Sequence, residues 1–456
     1  MVGLLACLVA AASPVETEAR ELLEQLVAVD TSHGNETKAL EPLVQRFRSA
    51  GVPVQIVESA PGRGNLIARV RGNGKKRPLL LLAHIDVVPV EGQPWTVPAF
   101  TPAEKDGYLY GRGVSDDKAM AAAFVAIALE QARSQKPLSR DLIVALTAGE
   151  ETGGAAGVRW LVQNHRDLLD AELALNEGGA VYTTADSSRI ESVSVGVAEK
   201  TFQSFRLVVK GKGGHSSVPP TEGDPVATLS RALLRVSEHR FPAKVLPATR
   251  EQLAALSRTE KPPLADALRR VAEKGSIGSD DEKILGKDRI ANALVRTTCV
   301  TTMLAASPQD NVLPTTAEAT VNCRIMPDET REATMAALKS AIADEAVAIR
   351  VLEEVGLAPA SPIGGQVTEA VRSATRALWG DVPVVHSMGT GATDSRHLRA
   401  VGIPSFGLGG APGSLDDARQ GRAAHGADER RPTRWLPEGV RFLREVVLRL
   451  AREDVQ

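Results

Sequence analysis

Cysteine is scarce in this sequence: Cys7, Cys299 and Cys323 are the three present in 456 residues. Scattered so widely, they read as neither a disulfide framework nor a thiolate metal site. Any bound metal must then be held by histidine and carboxylates. An excess of one charge is lacking too. The formal net charge is −2, so there is no basic excess to grip nucleic acid and no basic run to meet a membrane surface. No apolar stretch is long enough to span a bilayer. Aromatics are only 3%, in a composition (43% hydrophobic, 24% charged) that is otherwise that of a soluble globular protein. At this length at least two domains are expected.

The start of the chain is apolar. Val2–Ala12 (VGLLACLVAAA) leads into small residues, as the apolar core and cleavage region of a secretory signal do. A basic segment before it is missing, and the first charged residue is Glu16. Leu4-Leu5-Ala6-Cys7 is similar to a lipoprotein signal, though close to Met1. The expectation is export to a periplasm or the medium, with a lipid anchor as one variant and segment 1–12 as the signal. The alternative is a buried helix turn in a cytoplasmic protein.

What is present begins with Leu79–Pro89, LLLLAHIDVVP. Four leucines run into His84 and, one residue later, Asp86. A continuous apolar run between Lys75-Lys76-Arg77-Pro78 and Pro89 reads as a buried parallel strand. Open α/β sheets place ligands at the carboxyl edge of such strands. His84 and Asp86 lie two apart and so point to one side of an extended chain. They read either as a core pair or as a metal ligand with the carboxylate that orients it.

Other strand ends repeat the pattern. Asp116 sits in the loop GRGVSDDK, before an Ala-rich helix over Lys118–Arg133. The strand Leu142–Thr147 ends in Ala148-Gly149-Glu150-Glu151, whose adjacent carboxylates need a cation to offset their repulsion. Leu173–Asn176 ends in Glu177-Gly178-Gly179. Earlier, Ser13-Pro14-Val15-Glu16 is a helix start, and Glu36–Ser49 a second helix closed by Gly51. After Gly196 the texture changes to strand–helix–strand–strand–helix–strand, the pattern of a small inserted sandwich. Residues 240–295 form an extra segment with helical pattern near Leu264–Lys274. Helix and strand signals return after Pro359, with a Gly-rich loop over Gly389–Arg396 and His425 in AHGADE.

Taken singly, these residues also have structural explanations: helix caps for Asp116-Asp117, a solvated turn for Glu150-Glu151, a surface ion pair for Arg324. Together His84, Asp116, Glu150, Glu151, Glu177 and His425 make a histidine and carboxylate set without thiolates. That set suits two catalytic ions better than one structural zinc.

The runs AHIDVVP, GRGVSDDKA, TAGEETGG, NEGG, KGKGGHSSVPP, NVLPTTAEATVNCRIMP, GTGATDSRHL and HGADER resemble, in order, the co-catalytic zinc exopeptidases. That family includes carboxypeptidase S, glutamate carboxypeptidase, aminoacylase and succinyl-diaminopimelate desuccinylase. The carboxypeptidase S branch, with its secreted N-acyl-amino-acid hydrolases, is most similar. The resemblance implies an α/β catalytic domain, 13–195 and 359–456, with a central mixed sheet flanked by helices. It implies an inserted α+β, ferredoxin-like lid and dimerisation domain over 196–358, and hence a homodimer. Two zinc ions are implied, with cobalt or manganese as alternatives. His84 and Glu177 would bind one ion and Glu151 and His425 the other, with Asp116 bridging. Glu150 would be the general base acting on a bridging hydroxide, and Asp86 would orient His84. His215 would stabilise the oxyanion in the partner subunit's site. Asn311 and Arg324 would hold a substrate carboxylate, and Gly389, Thr390 and Gly391 would line the pocket. The substrate would be a peptide or N-acyl amino acid with a free carboxylate. Two other classes stand beside this one: a non-catalytic metal- or peptide-binding relative, and an oligomeric scaffold.

Overall fold

The computed structural model describes residues 12–134, 136–353, 356 and 359–452. Of the apolar export segment only Ala12 falls among them, and the rest lies outside the described residues. The chain divides into two compact units. Gly196–Ile363 and Val385–Ala400 form the second, and the described remainder forms the first.

The first unit is built on a mixed sheet. Its strands run in the order Val54–Glu58, Gly64–Val70, Leu142–Thr147, Leu79–His84, Leu173–Asn176, Ser405–Gly407, Ile190–Glu199, Ala180–Thr183 and Gly413–Ser414. The leucine-rich strand Leu79–His84 lies parallel to both of its neighbours, Leu142–Thr147 and Leu173–Asn176. All six of its residues are buried, as a strand covered on both faces requires. Each such leucine contributes roughly 1.5–3 kcal/mol by leaving water. Toward the outer edge the ladder turns antiparallel, through Gly64–Val70 and then Val54–Glu58.

Register decides what meets at the carboxyl edge. His84 pairs with Thr147, and Leu81 with Leu175. The turns that follow these strands therefore emerge side by side. The Ala-rich helix Lys118–Arg133 is buried on nearly every face. Small side chains let it pack closely against the sheet on one side and against the helix Pro14–Val27 on the other. That first helix starts as its sequence predicts, with Ser13 N donating to Glu16 Oε2 at 2.8 Å. Lys118 closes its other end: its buried Nζ donates to the carbonyls of Leu26 (2.9 Å) and Val29 (2.8 Å). The closing helix Leu436–Ala451 buries Phe442, Leu443, Val446 and Val447.

The second unit holds a four-stranded antiparallel sheet in the order Thr298–Ala305, Thr316–Ile325, Thr201–Lys210, Ala348–Val351. With the helices Pro225–Glu238 and Arg331–Ile342 the chain order is βαββαβ, the ferredoxin-like arrangement. Phe205, Leu207, Leu229, Val321 and Leu338 lie in its core. The extra segment forms four helices, Pro247–Leu256, Leu264–Lys274, Ser279–Leu285 and Arg289–Val295. Leu253, Leu268, Val271, Leu285 and Leu294 give it a core of its own, which takes in Met388. The strand Val384–Gly389 is held there by side chains. His386 N donates to Glu251 Oε2 (2.9 Å) and Met388 N to Gln252 Oε1 (3.2 Å).

One reading of the sequence is corrected here. Cys299 and Cys323 form a disulfide, with Cα atoms 4.1 Å apart. They are direct partners across adjacent antiparallel strands. Twenty-four residues of separation hid a contact that only the strand register creates.

Among the described residues no helix is long and apolar enough to cross a membrane.

Candidate metal centre

Seven of the expected residues belong to the first unit: His84, Asp86, Asp116, Glu150, Glu151, Glu177 and His425. Their elements bring them to one sheet edge. His84 ends its strand, and its Nδ1 lies 3.0 Å from the main-chain carbonyl of Asp86. A carbonyl only accepts, so Nδ1 carries a proton, and Nε2 is the nitrogen that would face a metal ion. The Asp86 carboxylate is 3.5 Å from the same Nδ1. Its stronger bonds go elsewhere. Oδ1 accepts from Glu150 N (3.0 Å) and Oδ2 from Glu151 N (3.1 Å). Asp86 thus fixes both the histidine and the turn that carries the paired glutamates. The sequence reading gives it only the first of these tasks.

Asp116 stands between two histidines. Its Oδ1 is 2.9 Å from His84 Nε2, and its Oδ2 is 3.2 Å from His425 Nε2. Glu177 Oε1 lies 3.7 Å from His84 Nε2, and Glu151 Oε2 lies 3.0 Å from His425 Nε2. Two triads result: His84, Asp116 and Glu177, and Asp116, Glu151 and His425. Within each, one ligand atom per residue lies within 4.8 Å of the others, and Asp116 is common to both. Neither triad includes Glu150.

The electrostatics fit divalent cations. Burial pushes the carboxyls of Asp117 and Glu177 well above their ordinary range, and neighbouring carboxylates push the same way. Burial works against a charge on His84, yet Asp116, Asp86 and Glu177 hold its pKa well above the usual imidazole value. Hydrogen bonds to Asp116 and Glu151 raise His425 to about 10. Burial would raise Asp116, but its two histidine partners draw it down. A carboxylate field that holds positive charge on both imidazoles equally favours cations among them. The donors are oxygen and imidazole nitrogen, as zinc, manganese and cobalt take.

Two groups here escaped the sequence reading. Glu429 is fully buried, and its Oε1 accepts from Ser115 N (2.7 Å), Gly113 N (3.2 Å) and Asp116 N (3.2 Å). Its Oε2 accepts from Arg112 Nη1 at 2.7 Å. Arg112 in turn reaches the carbonyl of Gly426 (3.2 Å) and Gln93 Oε1 (2.6 Å). The ion pair therefore joins the loop of Asp116 to that of His425. Its trace in the sequence is the last letter of HGADE and the arginine of GRGVSDDK, which carry no periodicity. The second group is Arg431, two residues further on.

His215, Asn311, Arg324, Gly389, Thr390 and Gly391 belong to the second unit. His215 pairs with Val312, and Ser216 N donates to the Asn311 carbonyl at 3.0 Å. His215 Nδ1 accepts from Ser217 N at 3.1 Å, which leaves Nε2 as the N–H donor. Arg324 lies over its cross-strand partner Phe202, with Cζ 4.9 Å from the ring centroid. Burial, then the charge of Arg396, lowers its pKa. The Gly389 carbonyl accepts from Lys200 N (3.0 Å), and Thr393 N donates to Glu199 Oε2 (2.6 Å).

A mixed α/β sheet whose edge carries two histidine–carboxylate triads sharing one aspartate defines the class: a metal-dependent hydrolase. The chain belongs to peptidase family M20/M25/M40, whose profile matches residues 80–449. Among curated proteins it is 30% identical over 382 residues to the N-fatty-acyl-amino acid synthase/hydrolase PM20D1 of Mus musculus, covering 81% of this chain and 74% of that one. Counterparts of that name in other vertebrates are matched over 63%, 64%, 64% and 65% of their own length. It is 29% identical to a probable carboxypeptidase S-like protein of Dictyostelium discoideum, over 78% of this chain and 68% of that one. The fold matches an M20 family metallo-carboxypeptidase of Sulfolobus solfataricus with a TM-score of 0.70 at 18% identity, covering 94% of this chain and 98% of that one.

Proposed function

We propose that the protein hydrolyses the amide bond of a peptide or N-acyl amino acid whose amine-side residue keeps a free carboxylate. One observation carries the reading: two triads share Asp116, and Glu150 stands on the adjoining turn that Asp86 tethers. His84 and Glu177 would hold one ion, Glu151 and His425 the other, with Asp116 serving both. Zinc is the proposed metal. When bound, such a pair polarises the scissile carbonyl and makes water nucleophilic at neutral pH. Glu150 acts as general base, removing a proton from the attacking water and delivering it to the leaving amine nitrogen. Asp86 keeps His84 Nδ1 protonated and Glu150 in place. His215 offers its Nε2–H to the oxyanion that develops in the partner subunit's site. Arg324 and Asn311 serve the substrate carboxylate, and Gly389–Gly391 line the pocket.

The similarity to N-fatty-acyl-amino acid synthase/hydrolases favours an acylase reading over a carboxypeptidase one, and run in reverse such a site joins the two parts. We further propose that the second unit is a lid that pairs two copies. Its edge strand Thr298–Ala305 exposes Val300, Met303 and Leu304. The disulfide in that unit supports export, since disulfides persist in oxidising compartments.

The test is hydrolysis of dipeptides, N-blocked dipeptides and N-acyl amino acids by zinc-loaded protein, each beside its C-terminal amide. Cleavage of the free-carboxylate members alone is expected, and the best substrate separates peptidase from acylase. Equal cleavage of the amides would contradict the reading.

A further inference from the structure

A cavity of about 210 Å³ opens beside the metal centre, within the first unit. Asp116, Asp117 and Glu177 form one side, and Ser115, Ser414 and Arg431 face it from others. Arg431 comes from the strand Arg430–Pro432, whose backbone pairs with Tyr108–Tyr110. Its neighbour Arg430 is held by side chains: Nη1 donates to the Tyr110 hydroxyl (2.9 Å) and Nη2 to Asp417 (2.8 Å), and the guanidinium stacks over Tyr108. Arg431 is not. Among the described residues its guanidinium has no hydrogen-bond or ion-pair partner. Glu429, Asp116 and Asp417 act on it only through space, and each is already bound, to Arg112, to the two histidines and to Arg430. The Ser115 hydroxyl also lacks a partner. Gly413 makes room for the guanidinium, because a Cβ there would lie 2.7 Å from Nη1.

A guanidinium without a partner, walled by glycine and next to the groups that bind metal, is a site for an anion. We propose that this cavity receives the acyl side of the substrate and that Arg431 pairs with a carboxylate there. The inference rests on the amide-hydrolase reading and adds a substrate class: amides of short dicarboxylic acids, or peptides with an acidic residue before the scissile bond. Size agrees. The cavity has room for a four- or five-carbon chain ending in a carboxylate. Arg431 is a specificity residue and takes no part in bond making.

The experiment compares N-succinyl and N-glutaryl with N-butyryl and N-valeryl derivatives of one amino acid, using the full-length zinc-loaded protein. The anionic-to-neutral ratio of kcat/KM is expected to exceed about tenfold. Arg431→Met lowers that ratio by at least about tenfold, and Arg431→Lys restores part of it. A ratio that Arg431→Met leaves unchanged, or a wild-type preference for neutral acyl groups, overturns the proposal. Calorimetric binding of glutarate and valerate is measured on the same wild-type protein. Tighter binding of glutarate is expected even if the variants fail to fold or no amide is cleaved. Equal binding of both overturns the anion site, whereas failure of every amide with selective glutarate binding faults the hydrolase reading alone.

Discussion

Glu36 shows how burial alone can set a pH dependence. Its side chain is fully buried, with Arg63 Nη2 2.9 Å from Oε1. Burial raises its carboxyl to about 7, against the opposing pull of Arg63. The unfolded chain loses this proton near 4.5, whereas the folded chain keeps it to about 7. The unfolded state therefore binds fewer protons between those values, and stability falls as pH rises through them. Below pH 4.5 the contribution is complete, and above 7 it is gone. Its size is on the order of 3 kcal/mol at most. Glu36→Gln is expected to flatten that part of a denaturation curve measured from pH 4 to 8, and an unchanged slope would contradict the assignment. At this scale the sequence is half legible. His84, Asp116, Glu151, Glu177 and His425 lie at strand ends and loops, where residue type and position already speak of ligands. Glu429 and Arg431 do not, because nothing in DERRP distinguishes a carboxylate under three backbone amides, or a guanidinium facing a cavity, from a charged surface run.

Elements were easier to read than their pairing. The helices expected over Glu36–Ser49 and Lys118–Arg133 and the strands expected over Leu142–Thr147 and Leu173–Asn176 form with those bounds. Alternation and caps are local, so they survive in the sequence. Register is not local, and the Cys299–Cys323 bond was missed for that reason. The bond staples the exposed edge strand to the strand that carries Arg324. Closing its loop contributes about 3 kcal/mol. Cys299→Ala is expected to lower the melting temperature by several degrees, and reductant to lower that of the wild type but not of the variant. Equal responses of both proteins to reductant would exclude a stabilising bond. The segment 240–295 was opaque because its role is structural support: Glu251 and Gln252 occupy the backbone donors of His386 and Met388, a contact across more than a hundred residues.

The two units divide the chemistry. The first brings together every proposed metal ligand, and the second carries the remaining expected groups on a ferredoxin-like sheet. Its edge strand leaves Met303 and Leu304 about two-thirds exposed, at 64% and 67%. Unpaired edges with apolar side chains call for a partner. Leu304→Glu is expected to convert a dimer to a monomer in light scattering, and a monomeric wild type would refute the pairing.

The account turns on two ions and one base. Chelated protein would be titrated with zinc, and bound zinc per chain followed together with hydrolysis of an N-acyl amino acid. Hydrolysis should rise to its maximum as the second ion binds. Glu150→Gln should bind both ions and lose about a hundredfold or more of kcat. Full activity in chelated protein, or an unimpaired Glu150→Gln enzyme, would contradict the account.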